Sequence, residues 1–183
     1  MNDETVVDDN NIEIPRSEDA PTPTAPPLDI TVCSRREAVR LLTEAEEKGT
    51  PFDCVISIDD ANWCTNEFGC AKIAGIREEI RRRMGERALF LDFVDAISYD
   101  PMHILALGPR VEHITTIREF IDNQKPHARI LIHCVAGISR STATAVIALE
   151  RRGMQREAAL AHVHKIRRIA QPNQIMLALA NAS

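Results

Sequence analysis

No stretch of eighteen consecutive apolar residues occurs in this chain of 183 residues, so the sequence offers no membrane-spanning helix. The N-terminus has no basic patch leading into an apolar core, so no secretory leader is expected and the expected address is cytoplasmic. The cysteines are five and unpaired in spacing: Cys33, Cys54, Cys64, Cys70 and Cys134. Cys64 and Cys70 included, none stands at the short spacing of a zinc ligand pair, so neither a disulfide framework nor a metal is expected. Free thiols, buried or half-buried, are the simpler reading. An excess of base is also missing. Residues 1–27 hold seven acids (Asp3, Glu4, Asp8, Asp9, Glu13, Glu18, Asp19) against Arg16, a charge of −6, so that of the chain's −5 the remainder keeps about +1. Without a broad basic face, nucleic acid is not an expected partner. No internal repeat is evident.

What is present is ordinary globular composition, 44% hydrophobic and 27% charged, enough for one domain with a full core. Residues 1–27 are acidic and then Pro-rich, with too few periodic apolar positions to offset the entropy of ordering them, and they read as a disordered tail. The folded domain is expected over 28–183. It opens with an extended run from Leu28 to Cys33. A capping box at Ser34 and Glu37 then starts a helix whose face is Ala38, Leu41, Leu42 and Ala45, closed by Gly49. Further strands are expected at 52–58, 88–93 and 129–133, and helices at 71–84, from Val111 after Pro109, at 141–152, at 156–169 and from about Pro172. In the helix at 71–84, Glu78–Arg82 and Glu79–Arg83 are spaced as supporting pairs. Strands alternating with helices predict an α/β fold with a mainly parallel central sheet of about four or five strands, flanked by helices. Ligands of such sheets bind beyond the carboxyl ends of the strands.

The informative segment begins where the last strand ends. Ile130-Leu131-Ile132-His133-Cys134-Val135-Ala136-Gly137-Ile138-Ser139-Arg140-Ser141 is a buried strand, a tight loop and a helix start. Arginine six residues after a cysteine is a weak signal alone, but six beyond the other cysteines stand Val39, Asp60, Cys70 and Ile76. This match also sits where the chemistry works. A loop folded at a helix N-terminus converges backbone amides and the helix dipole on one point, which suits an anion. An ordinary thiol of pKa ~8.5 is only a few per cent ionised at neutral pH, and such surroundings lower that value by several units. Cys134 is therefore the expected nucleophile toward a phosphate monoester. The amides of Val135, Ala136, Gly137, Ile138 and Ser139, together with the two-pronged guanidinium of Arg140, are the expected phosphate ligands. Gly137 lets its amide approach closely.

Attack by sulfur leaves an alkoxide or phenolate that needs a proton, so a carboxylic acid must come from another loop at the same sheet edge. Asp95 is the first choice, just beyond the strand at 88–93, with Asp92 and Asp100 behind it. The same group can later act as base for the water that releases phosphate. Ser141 can donate to the departing thiolate, cap the helix, or both.

The residues His133 to Ser141 resemble the signature loop of dual-specificity-type protein tyrosine phosphatases, particularly compact bacterial ones. The resemblance also takes in the preceding strand and the following helices, and the run Arg168-Ile169-Ala170-Gln171-Pro172-Asn173 loosely resembles that family's late Pro-Asn helix start. The resemblance implies a Cys134 nucleophile, Arg140 as phosphate ligand, Ser141 assisting the second step, an aspartic acid from the preceding loop, and no metal or other cofactor. The implied partner is a phosphorylated protein or small phosphate monoester, with phosphate or sulfate as the simplest ligand. Val135 and Ile138 stand where phosphoinositide-directed relatives have lysines, which disfavours a polyanionic lipid headgroup. The tyrosine-bearing clamp of the larger tyrosine-specific enzymes has no counterpart.

Plainer readings stand beside these. His133 reads as a buttress of the loop through hydrogen bonds, Asn173 as a helix-start residue, and Arg81-Arg82-Arg83 and Arg167-Arg168 as solvated helix faces. Two other functions compete: a phosphoprotein-binding adaptor with little turnover, and a rhodanese-like sulfurtransferase, which Ser139-Arg140-Ser141 disfavours.

Overall fold

The computed structural model describes residues 28–60, 67–96 and 108–182. Among them are four strands, β1 (Asp29–Ser34), β2 (Cys54–Asp59), β3 (Ala88–Asp92) and β4 (Arg129–Cys134). Six α-helices accompany them: α1 (Arg35–Glu47), α2 (Glu67–Met84), α3 (Val111–Asp122), α4 (Arg140–Arg151), α5 (Arg156–Ile166) and α6 (Gln174–Ala182). The strands form one sheet in the order β1-β4-β2-β3, and every pairing is parallel. The expected α/β class and sheet type are thus observed, with four strands. The tail at 1–27, Cys64 and Asp100 lie outside the described residues, as does the side chain of Cys70.

The last strand among the described residues lies inside the sheet, between β1 and β2. Ile130, Leu131 and Ile132 are fully buried, each contributing roughly 1.5–3 kcal/mol by leaving water, so β4 is anchored on both faces. One face packs on α1 and α2 through Cys33, Val55 and Leu131 against Ala38, Leu42, Ile80 and Met84. The opposite face, with Ile56, Ile130 and Ile132, meets Ile114 and Ile117 of α3, Val146 of α4, Val163 of α5 and Met176 of α6. Helix α4 is buried along its run from Arg140 to Leu149. Ala143, Ala145 and Ala148 keep it thin enough to lie between the sheet and the outer helices. Its N-terminus therefore falls directly beyond the end of β4.

Several local expectations hold in modified form. Gly49 ends α1 with φ +67°, its amide donating to Glu46 O at 3.0 Å, a left-handed stop that favours glycine. On α2, Arg83 pairs with Glu79 as spaced, but Glu78 pairs with Arg81 and Glu79 also with Arg82, one residue closer than expected. Helix α5 ends at Ile166 rather than 169, because Arg167 is extended at ψ 90°. The segment 167–173 thereby leaves the helix and runs along the loop after β4.

Candidate active site

Parallel pairing places Ser34 beside Cys134 and Asp59 beside Asp92, so four strand ends define one edge. Cys134 terminates β4 there, 1% exposed. Its Sγ accepts from the Gly137 amide at 3.3 Å and lies 3.2 Å from Ser141 Oγ on the first turn of α4. Both contacts suit a sulfur anion: an N–H and a hydroxyl can each donate to it.

The loop between them is held from outside. Val135 O accepts from Arg35 N at 3.3 Å, Ile138 O from Gln171 N at 2.9 Å, and Ser139 O from Asn173 N at 3.3 Å and Ala143 N at 3.0 Å. Arg167 donates from Nε to Gly137 O at 3.0 Å and from Nη2 to Ala136 O at 3.4 Å. Five successive carbonyls are thus tied to the surrounding protein. Because each peptide is planar and trans, the N–H across from each tied carbonyl, which belongs to the following residue in 136–140, turns away from those ties. Among the described residues no acceptor takes the amides of Val135, Ala136, Ile138 or Ser139. These amides and the start of α4 make a ring of donors above the sulfur, the geometry of an anion cradle. Gly137 is indispensable to it. Its φ is +72°, and a Cβ there would stand 2.5 Å from Cys33 C and 2.6 Å from both Cys33 O and Ser34 N.

Arg140 is 2% exposed, and its Nη1 donates to Asp60 Oδ1 and to Phe93 O, each at 2.6 Å. Its Nε has no acceptor among the described residues, with Asp95 Oδ2 3.9 Å away. An unpaired buried donor costs about 1–3 kcal/mol, more when charged, which fits a group kept for a phosphoryl oxygen. Asp95 lies just past β3, where Oδ1 accepts from Ser139 Oγ at 2.6 Å and Asn173 Nδ2 at 2.8 Å. With both donors on Oδ1, Oδ2 is the oxygen able to carry a proton toward the cradle. Asp92 is not part of this arrangement. It pairs outward with Arg77, its side chain on the opposite face of the strand end.

Three residues at the site carry more than the sequence suggested. Arg167 was expected on a solvated helix face, yet it bridges the loop carbonyls and Glu37 Oε2 at 3.4 Å. Glu37 in turn accepts from Ser34 N at 2.8 Å and Ser34 Oγ at 2.7 Å, and chiefly the Ser34 amide bond holds its carboxyl below the ordinary range. Asn173 does start α6, accepting from Met176 N at 3.0 Å, but it also donates to Asp95 and to Ala96 O at 2.8 Å. Asp60, which read as a loop former, reaches Arg140. The adjacent Pro172 was the one local signal for Asn173, and Asp60 could have been found by its place at a strand's carboxyl end. Nothing local distinguishes Arg167.

His133 differs from expectation. Neither ring nitrogen makes a well-formed hydrogen bond, and burial pushes its pKa down to about 4 against the opposing pull of Asp59 and the Cys134 backbone. It supports the strand end as a neutral, packed ring. Cys33, Cys54 and Cys134 are free, buried thiols as expected. Burial pushes Cys33 and Cys54 each up to about 12, which leaves both inert, Cys33 near the cradle and Cys54 at the opposite end of the sheet.

The fold is similar to that of solved tyrosine phosphatases and of a tyrosine phosphatase-like protein. The PTP-2 phosphatase of Cydia pomonella superposes with a TM-score of 0.59 at 18% identity, covering 84% of each chain. Tk-PTP in its active form gives 0.53 at 19% identity over 84% of this chain and 90% of its own. The human tyrosine phosphatase-like serine/threonine/tyrosine-interacting protein gives 0.54 at 22% identity over 84% of this chain and 89% of its own. No protein-family model and no curated protein matches the chain by sequence. No helix among the described residues is long and apolar enough to cross a membrane.

Proposed function

We propose that this protein is a cysteine-dependent phosphatase acting on phosphate monoesters through a thiophosphate enzyme intermediate. Phosphotyrosyl proteins are its first substrate class, and phosphoseryl and phosphothreonyl proteins the second. The observation that carries this reading is the loop whose five carbonyls are tied outward around Cys134 Sγ, with the buried Arg140 Nε lacking an acceptor.

In the first step the Cys134 thiolate attacks phosphorus, forming the S–P bond as the P–O bond to the leaving group breaks. The inward amides of 135–139 and Arg140 stabilise the charge on the equatorial oxygens. Asp95, protonated on Oδ2, gives its proton to the leaving oxygen. In the second step the Asp95 carboxylate takes a proton from water as that water attacks phosphorus, the S–P bond breaks, and the Ser141 hydroxyl, 3.2 Å from sulfur, donates to the returning thiolate. No step needs a metal or other cofactor. Inorganic phosphate is the product and, like sulfate, a ligand of the same cradle. A cytoplasmic location, with neither a membrane nor a nucleic acid as partner, belongs to the same reading.

Arg140 Nη1 is already engaged by Asp60, and this favours a second reading, an adaptor that holds phosphoproteins with little turnover. The deciding measurement is steady-state hydrolysis of phosphotyrosyl and phosphoseryl peptides, with acid-quenched enzyme analysed for a phosphorylated Cys134. Multiple turnovers that vanish in Cys134→Ser, while peptide binding persists, support the phosphatase. Binding without turnover by the wild type supports the adaptor. Sulfur transfer from thiosulfate in place of either would establish the rhodanese-like alternative.

A further inference from the structure

Gly137 solves one problem of the cradle and creates another. Its φ of +72° and the closeness of Cys33 and Ser34 leave no room for a Cβ, but a residue without one lets the peptides on either side of it rotate with little steric resistance. Those two peptides carry donors of the cradle. The peptide joining Ala136 to Gly137 presents the Gly137 amide, which donates to Cys134 Sγ at 3.3 Å. The peptide joining Gly137 to Ile138 presents the Ile138 amide, for which no acceptor stands among the described residues. A half-turn of either peptide would aim a carbonyl oxygen at the sulfur anion or at a bound phosphoryl group and repel it.

One side chain holds both peptides from behind. Arg167 Nε donates to Gly137 O at 3.0 Å and Nη2 to Ala136 O at 3.4 Å, so a single planar guanidinium spans the two carbonyls that the glycine leaves free to turn. Arg167 is itself held. Its Nη2 lies 3.4 Å from Glu37 Oε2, and that oxygen accepts from Ser34 N at 2.8 Å and Ser34 Oγ at 2.7 Å at the start of α1. Arg167 is also the extended residue at which α5 ends, and the chain beyond it returns to the loop, where Gln171 N donates to Ile138 O. Other charged groups packed around the loop are turned to partners of their own: Arg35 to Asp59, Arg140 to Asp60, and Asp95 to Ser139 and Asn173. His133 and Cys33 are uncharged beside it.

We propose that Arg167 is the positioning residue of the cradle, clamping the two peptides beside Gly137 so that their N–H groups face Cys134 and its phosphoryl ligand, with Glu37 orienting the clamp. The proposal deepens the phosphatase reading and rests on it for the identity of the ligand. Arg167 acts through the two peptides rather than by contact with the reacting atoms. Misaiming donors that serve a charged ligand corresponds to about tenfold in affinity.

The test compares wild type, Arg167→Gln, Arg167→Lys and Glu37→Gln in three measurements. These are the Kd for inorganic phosphate by calorimetry, the pH profile of Cys134 alkylation by iodoacetamide followed by mass spectrometry, and stability in urea. Arg167→Gln is expected to weaken phosphate binding about tenfold and to move the rise of alkylation to higher pH, while the rate reached at high pH is kept. Arg167→Lys retains the charge without the fork and recovers part of both, and Glu37→Gln shows a smaller loss. Arg168→Gln, at the exposed neighbour, changes neither. Unchanged phosphate affinity and alkylation profile in Arg167→Gln overturn the clamp, and so does a loss that merely tracks urea stability across the variants. Should Arg167→Gln fail to fold, Arg167→Lys and Glu37→Gln carry the same test. A wild type that binds phosphate but hydrolyses no phosphotyrosyl peptide overturns the phosphatase reading alone, because neither phosphate affinity nor alkylation depends on turnover.

Discussion

Asn173 Nδ2 donates to Asp95 Oδ1 at 2.8 Å although the two residues are 78 positions apart in the chain. One side chain thus caps α6 with its oxygen and holds Asp95 with its nitrogen. The two roles can be separated by substitution. Asn173→Ala should lower stability by about 1 kcal/mol through the lost cap and also slow turnover. Asn173→Asp keeps a capping acceptor while replacing the amide donor by a carboxylate facing Asp95. It should recover most of the stability in urea unfolding and little of the kcat. If turnover simply follows stability across both variants, Asn173 is a cap and nothing more.

The aspartates near Cys134 should divide by role. Asp95→Asn is expected to slow hydrolysis of substrates with poor leaving groups by about 10²–10⁴-fold, with a much smaller loss for a nitrophenyl ester, whose leaving group needs little protonation. Asp60→Asn frees Arg140 Nη1 from its carboxylate partner and should act on phosphate inhibition and KM rather than on leaving-group dependence. Asp92→Asn, at the Arg77 pair, should leave both unchanged. The dependence of kcat on leaving-group pKa checks all three. A steep dependence appearing in Asp60→Asn instead would transfer the acid role to that residue.

Gly137→Ala should be poorly tolerated, because the added methyl collides with backbone atoms of Cys33 and Ser34 that cannot rotate aside. The left-handed φ of +72° adds about 1–2 kcal/mol of its own for a residue with a Cβ. The expected outcome is a loss of at least that much stability together with loss of phosphate binding, read by unfolding in denaturant and by calorimetric titration with phosphate. Unaltered phosphate affinity would mean that the cradle does not need its present shape.

His133 should leave a signature in the pH dependence of stability. Its ring is neutral in the fold with a pKa of about 4, whereas an unfolded histidine titrates near 6.5. As pH falls, the unfolded chain binds the proton first, so stability declines between about pH 6.5 and pH 4 and stops responding to this group below that, a loss of up to about 3 kcal/mol. His113 and His162 shift in the same direction through burial, so the contribution of His133 is the difference in slope between wild type and His133→Gln. Identical slopes would show that the ring is not buried neutral.

Much of the fold was legible because local patterns and tertiary packing agree. The β-branched run of β4, the capping box at Ser34 and the left-handed stop at Gly49 each report a local conformation that the core then reinforces. The site was legible only where it is contiguous. Cys134, Gly137, Arg140 and Ser141 fall within eight residues, and their order implies a loop at a helix start. Asp95 was one of three candidates, since spacing after a strand does not say which way a carboxylate turns. The twist at the end of β3 sends Asp92 out to Arg77 and Asp95 in to Ser139. Arg167 read as helical surface because its periodicity continues that of α5, and only the break after Ile166 brings it onto the loop.

The sequence by itself determined that one cysteine, a tight loop and one arginine would share a helix N-terminus at the carboxyl edge of a parallel sheet, since these features depend on neighbours along the chain. Which carboxylates turn toward the loop and which side chains tie its carbonyls outward were decided by the tertiary structure. Those properties depend on side-chain directions set by strand twist and helix ends, and on contacts between segments far apart in the chain, which no local pattern encodes.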